Sequence, residues 1–290
     1  MPGIFAARLI LPGSVSEAEI QNIAGLFEPL SVSLSVHRDH DGGEWLLQCM
    51  AGRDISAAEL AAVYPGDWAF ERIPRTDWLA ASYKQFPAFE VGPFFIYGSH
   101  HERNIPEDKT GLQIDAATAF GSGEHGTTKG CLLAMLELKD SGVCPWNVLD
   151  MGTGSGILGI AAWKLWKTPV LAVDNDEEAV RVAWRHRELN NVPSGENGMI
   201  CKAGDGFNTK AVQEKKPFDL IIANILAVTL REMADELKEC SDKNGFLILS
   251  GILNKQAQDV LGAYEPLGFK LRGRHEIGEW STLVLQNTAT

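Results

Sequence analysis

Three short stretches hold the residues best suited to chemistry. The first, 147–174, reads NVLDMGTGSGILGIAAWKLWKTPVLAVD. Gly152, Gly154 and Gly156 alternate through a turn between an apolar strand and a helix, and a second apolar run stops at Asp174. Glycine serves where the backbone bends sharply or approaches a ligand with no Cβ in the way. The helix that follows directs its free N–H groups at whatever lies on that turn. An acid ending the second strand can accept hydrogen bonds from two ribose hydroxyls. Together these features point to an adenosine-bearing cofactor. The second stretch, Phe218-Asp-Leu-Ile-Ile-Ala-Asn224-Ile-Leu226, reads as a buried parallel strand ending on an amide. An Asn carbonyl there can accept a hydrogen bond from a substrate amine and aim its lone pair. The competing role is to cap the next helix. The third stretch, Ala119-Phe-Gly-Ser-Gly-Glu-His-Gly-Thr-Thr128, is a glycine-rich loop placed to fold over the ligand. Thr127 or Thr128 is expected to cap the helix over 129–139. His125 is a candidate base, although a lone histidine in such a loop is more often a structural hydrogen bonder.

Two cofactor classes fit the first stretch. Gly154-Ser-Gly156-Ile-Leu-Gly159 matches the GxGxxG fingerprint of dinucleotide sites. Asp150-Met-Gly152-Thr-Gly154-Ser-Gly156 matches the acid-x-GxGxG loop of S-adenosylmethionine methyltransferases. The surrounding elements decide between them. After Asp174 come a helix over 177–189, a strand over 199–203 with a Gly204-Asp205-Gly206 turn, the strand ending at Asn224, a helix over 229–238, a strand over 245–250 and a helix over 255–264. Two strands, 269–273 and 280–285, close the chain without a helix between them. An alternating α/β sheet ending in an antiparallel pair is the plan of seven-stranded class I, Rossmann-like methyltransferases. A nicotinamide enzyme would also need a hydride-transfer site, and no such constellation is present. The Gly204–Gly206 turn is a position from which an acid can reach an adenine.

The N-terminal part reads differently. Strands at 4–11, 32–36, 44–50 and 68–70 alternate with helices opened by Ser14-x-x-Glu17 and by Ser56, with a turn at Asp41-Gly42-Gly43. The order βαββαβ is ferredoxin-like. The expected domains are a small α+β domain over 1–73, a linker over 74–111 with a short helix over 78–84 and a buried strand at 94–97, and the α/β domain over 112–290. Residues 1–73 contain no lysine, and their acids outnumber their bases. They are read as a recognition module for a basic protein, against the plainer role of a structural appendage.

Net charge is −12, which speaks against a general nucleic-acid binder because that function needs a basic footprint. At 45% hydrophobic, 290 residues can bury two cores. The five cysteines, Cys49, Cys131, Cys144, Cys201 and Cys240, are scattered and never form CxxC, so reduced thiols and no metal site are expected. No apolar run approaches a membrane span. The expectation is a cytoplasmic monomer.

With these stretches in view, the sequence resembles the bacterial methyltransferases of large-subunit ribosomal protein eleven along essentially its whole length. The family pattern FGTGxHxTT appears as Phe120-Gly-Ser-Gly-Glu-His-Gly-Thr-Thr128, LDxGxGSGILxIAA as Leu149 through Ala162, and ANIL as Ala223-Asn224-Ile-Leu226. Departures are Ser122 for Thr, Thr153 for a frequent Cys and Gly126 for a frequent Pro. The resemblance implies S-adenosyl-L-methionine as methyl donor and methylation of lysine side chains, and of the N-terminal amine, of that ribosomal protein. It places cofactor contacts on Thr128, Gly152, Asp174 and Asn224. Gly154 joins them through the loop backbone, and Asn224 also carries the catalytic orienting role. The rival readings are methylation of another protein or a small amine and, further off, a nicotinamide oxidoreductase or nucleotide-binding module.

Overall fold

The computed structural model describes residues 4–16, 19–20, 23, 26, 33–38, 44–51, 56–73, 88–99, 101, 105–115 and 126–288. The turn expected at 41–43, the helix at 78–84 and residues 119–125 of the third stretch, with His125, lie outside them. The chain divides into two compact units, Met1–Ser82 and Tyr83–Thr290.

The smaller unit holds strands β1 (Ile4–Leu11), β2 (Ser33–Arg38), β3 (Trp45–Ala51) and β4 (Ala69–Ile73), in the order β2-β3-β1-β4. Every neighbouring pair is antiparallel, as the ferredoxin-like plan requires. Along β1 the residues alternate: Ala7, Leu9 and Leu11 are buried, and Arg8 and Ile10 are exposed. That period of two marks a strand with one covered face. The buried face packs on Leu47, Cys49, Ile20, Ile23 and Leu60. Ser56 caps the helix Ala57–Val63 in a reciprocal box with Glu59, as expected. A second capping box lies nearer the N-terminus. Ser16 and Glu19 form it, Glu19 donating its N–H to Ser16 Oγ and Ser16 its own N–H to Glu19 Oε2, and Glu17 of the box expected at Ser14 lies outside the described residues.

The segment expected as a linker is more ordered than a connector from Phe89 onward. Strands β5 (Phe89–Val91), β6 (Phe94–Tyr97) and β7 (Thr110–Gln113) form their own sheet within the larger unit. Phe94, Ile96 and Leu112 are buried there and join the main core, which is why the unit boundary falls before them.

The main sheet has strands β8 (Val148–Met151), β9 (Val170–Asp174), β10 (Met199–Ala203), β11 (Phe218–Asn224), β12 (Ser241–Leu253), β13 (Phe269–Ile277) and β14 (Trp280–Asn287). Their order is β10-β9-β8-β11-β12-β14-β13. The pairs from β10 to β12 are parallel, and β14 runs antiparallel to both neighbours. The helices Gly126–Asp140 and Ile157–Trp166 contribute to the core on one face. The helices Ala227–Glu232, Ala234–Cys240 and Ala257–Tyr264 contribute to a second core cluster. Burial on both faces explains the nearly unbroken apolar runs of β8 and β11. One expected helix, 229–238, is instead two, divided at Met233. All five cysteines are free thiols, and Cys49, Cys131 and Cys240 are buried.

The strand order reverses at β8. The chain steps from β8 to β9 and β10 on one side, then returns to β11 on the other. Such a switch point opens a crevice at the carboxyl ends of the strands. Gly152, Asp174 and Asn224 all follow or end those strands.

Candidate functional site

The glycine turn leaves β8 with Gly152 at φ +69°, and Gly156 precedes the helix Ile157–Trp166 at φ +83°. L side chains rarely adopt that backbone region. Space demands glycine as well. A Cβ on Gly152 would collide with Ile225 Cγ2, and one on Gly156 would stand 3.0 Å from Ala183 Cα. Gly152→Ala is therefore expected to cost about 1–2 kcal/mol in urea unfolding from backbone strain. It should also displace Ile225 and weaken cofactor binding in calorimetry.

Two acids hold this turn from opposite sides. Asp150 is buried, and its Oδ2 accepts hydrogen bonds from Thr153 Oγ1 at 2.6 Å and from the Gly159 N–H at 2.9 Å. Asp174 accepts the Gly154 N–H on Oδ2 at 2.8 Å and the Asp176 N–H on Oδ1 at 3.1 Å. Burial pushes the Asp150 carboxyl up to about 6, against the pull of its two donors. The folded pKa thus lies above the unfolded value of about 3.9. The resulting stabilisation is complete below the unfolded pKa and is lost as pH rises through about 6. The stability advantage of wild type over Asp150→Asn should shrink by about 3 kcal/mol between pH 3.5 and pH 8. Urea titrations of the apoprotein at the two pH values measure it.

Two adjoining cavities occupy the crevice and share Gly152, Asp174, Asn175 and Ile225. The larger, of about 460 Å³, is walled by Asp174, Asp205, Phe207, Leu226, Met233 and Glu236, among others. The smaller, of about 220 Å³, is walled by Thr128, Thr153, Gly154, Ser155, Asn224 and Ile225, among others. All five residues expected at the site, Thr128, Gly152, Gly154, Asp174 and Asn224, thus meet around the smaller cavity, and Gly152 and Asp174 stand on the wall common to both.

Neither helix-capping alternative survives. The helix after Asn224 has Leu226 at its N-cap, with no side-chain capping bond, so Asn224 is not spent on a cap. The helix expected to start after Thr128 begins at Gly126, which puts both threonines inside its first turn. They are buried, and their Oγ1 atoms have no hydrogen-bond partner among the described residues. A buried hydroxyl left unpaired is costly, so Thr128 on the cavity wall is a donor and acceptor waiting for a ligand.

Some residues on or behind the wall carried little or no sequence signal. Gly251, at φ +81°, abuts the Ile225 carbonyl so closely that a Cβ would collide with it, and it pins the Asn224 tip from the β12 side. Met233 and Glu236 reach the larger cavity from beyond the helix break. The Gly204–Gly206 turn does line the larger cavity, and the buried Phe207 beside it was not singled out.

Comparison with known proteins decides which adenosine cofactor this crevice serves. Residues 45–288 match the family described as ribosomal protein L11 methyltransferase (PrmA). The chain belongs to that family. The protein of that name from Rhodopseudomonas palustris (strain BisB5) is 41% identical over 250 residues, 86% of this chain and 80% of the relative. The one from Caulobacter sp. (strain K31) is 34% identical over 287 residues, 96% of this chain and 97% of the relative. A crystal structure of ribosomal protein L11 methylase from Lactobacillus delbrueckii subsp. bulgaricus superposes with a TM-score of 0.61 at 27% identity. It covers 70% of this chain and is itself covered completely.

As a member of the ribosomal protein L11 methyltransferase family, the chain is an S-adenosylmethionine-dependent methyltransferase. The GxGxxG register at Gly154 is therefore incidental, and the operative one is Asp150 through Gly156. The residues present fit the cofactor. An adenosine needs a hydroxyl acceptor and a roomy, partly apolar wall, which Asp174 and the larger cavity provide. An amino-acid end needs small residues and a polar partner, which Gly152, Gly154 and the unpaired Thr128 hydroxyl provide.

Proposed function

We propose that the chain transfers methyl groups to lysine side chains, and to the N-terminal amine, of ribosomal protein L11. The observation that carries this reading is Asn224. It ends β11 on the wall of the smaller cavity, beside the glycine turn, with its capping role removed. When bound, S-adenosylmethionine supplies a methyl group on a positively charged sulfur. The chain's task is to align a neutral amine with it, because in-line displacement depends chiefly on orientation. A free lysine titrates near about 10.4, so the amine must shed its proton before attack. Burial beside Ile225 disfavours the charged form and eases that loss to solvent. The Asn224 carbonyl oxygen accepts an N–H of the neutral amine and turns the lone pair into the cavity. The substrate nitrogen then forms the N–C bond as the C–S bond breaks.

In this reading Asp174 accepts the ribose hydroxyls, Gly152 and Gly154 admit the amino-acid end, and Thr128 bonds its polar groups. The Met1–Ser82 unit recognises the substrate. Its acidic balance, and the net charge of −12, favour a basic protein over RNA. No described helix is long and apolar enough to cross a membrane, and a ribosomal substrate places the reaction in the cytoplasm. Incubation with S-adenosylmethionine and separately purified ribosomal proteins, followed by peptide mass spectrometry, tests the substrate. Methylated lysines in L11 alone are expected. Methylation of a different protein, with L11 unmodified, would overturn the assignment.

A further inference from the structure

The glycine turn has a second support that the family motifs do not include. His186, on the helix Glu177–Leu189, is 1% exposed. Its Nδ1 lies 2.7 Å from the carbonyl oxygen of Ser155, between Gly154 and Gly156. Its Nε2 accepts the backbone N–H of Asp115 at 3.1 Å. An imidazole that accepts on Nε2 must carry its proton on Nδ1, so Nδ1–H donates to Ser155 and the ring is neutral. Burial pushes the imidazole pKa down, which keeps the ring in that form.

Both ends of this bridge matter. Ser155 belongs to the wall of the smaller cavity. Asp115 is fixed in turn: its carboxylate accepts Ser99 N–H at 2.7 Å, Ser99 Oγ at 2.9 Å and Arg185 at 3.3 Å. One turn along the helix, Asn190 pairs with both the N–H and the carbonyl of Gln113, at 2.9 and 2.8 Å. The helix therefore docks residues 113–115 the way a neighbouring strand would. Ala183, one turn before His186, is the residue against which Gly156 packs without a Cβ.

We propose that His186 is a positioning residue for the methyl-donor site, holding the Ser155 carbonyl of the glycine turn and tying it to the backbone of Asp115. The inference rests on the donor reading of the crevice. Its force comes from geometry. Without the Nδ1–H donor, the Ser155 carbonyl loses this hydrogen bond, and the turn loses its tie to the helix Glu177–Leu189.

Three substitutions separate positioning from mere packing. Phe keeps the ring and removes both bonds. Asn places an amide N–H near the Nδ1 position and keeps the Ser155 bond, whereas Gln places an amide oxygen near the Nε2 position and keeps the Asp115 bond. The readouts are calorimetric Kd for S-adenosylhomocysteine, melting temperature, and steady-state KM for S-adenosylmethionine against kcat. Expected for His186→Phe and His186→Gln is a rise in Kd and KM on the order of tenfold, with kcat at saturation retained. His186→Asn should restore Kd to within about threefold of wild type. Unchanged Kd in the Phe variant overturns the proposal. So do losses of affinity that follow melting temperature equally across all three variants. Wild type that fails to bind S-adenosylhomocysteine overturns the donor reading itself and the role of His186 with it.

Discussion

Asn224→Ala should lower kcat by about 100-fold or more while leaving the Kd for S-adenosylhomocysteine within about threefold of wild type. The asymmetry follows from position. Asn224 stands at the end of β11, on the smaller cavity alone, whereas Asp174 and Gly152 border both cavities. The large cofactor lobe is thus built without it. What alanine removes is the acceptor that orients the incoming amine, and misorientation by about 1 Å can cost on the order of 100-fold in rate. The backbone of the tip should hold, since Ile225 remains wedged between Gly152 and Gly251. Steady-state kinetics at saturating cofactor, paired with calorimetry, separates the two effects. Equal kcat in the variant would remove Asn224 from the chemistry.

Asp174→Ala should do the reverse, raising the Kd for S-adenosylhomocysteine by about 100-fold with kcat at saturating cofactor reduced only a few-fold. A carboxylate offers about four lone-pair positions. Two are taken, by the N–H groups of Gly154 and Asp176. The remaining capacity suits two vicinal hydroxyls, and each charge-assisted hydrogen bond contributes about 1.5–3 kcal/mol. Asp174→Asn keeps one acceptor oxygen and should fall between wild type and alanine. Because alanine also frees the Gly154 N–H, melting temperature has to be measured alongside. A cofactor Kd equal to that of wild type would dismiss the ribose role.

Much of this was legible because the decisive signals are local. The glycine turn after β8, the acid ending β9 and the amide ending β11 each close an apolar run, and parallel strands bring such ends to one rim. The Ser56 cap was legible for the same reason. The Ser16–Glu19 box was not legible because Ser14-Val-Ser-Glu-Ala-Glu19 offers the same spacing twice. Thr128 lines the smaller cavity, and its alternative role as a cap fails because the helix starts earlier. The His186 bridge was illegible. Its partners are 31 and 71 residues away, and a histidine in an amphipathic helix has no sequence mark that distinguishes a bridging ring from a surface one. Gly251 and Glu236 were hidden likewise, since each meets the crevice through packing with another element.

The most direct measurement is a crystal structure of the chain bound to S-adenosylhomocysteine. The ribose hydroxyls are expected within hydrogen-bond distance of the Asp174 carboxylate, the adenine in the cavity walled by Phe207 and Met233, and the sulfur in the lobe shared by Gly152 and Asn224. A ligand seated with its ribose away from Asp174, or with its sulfur turned away from Asn224, would contradict the donor site at its centre.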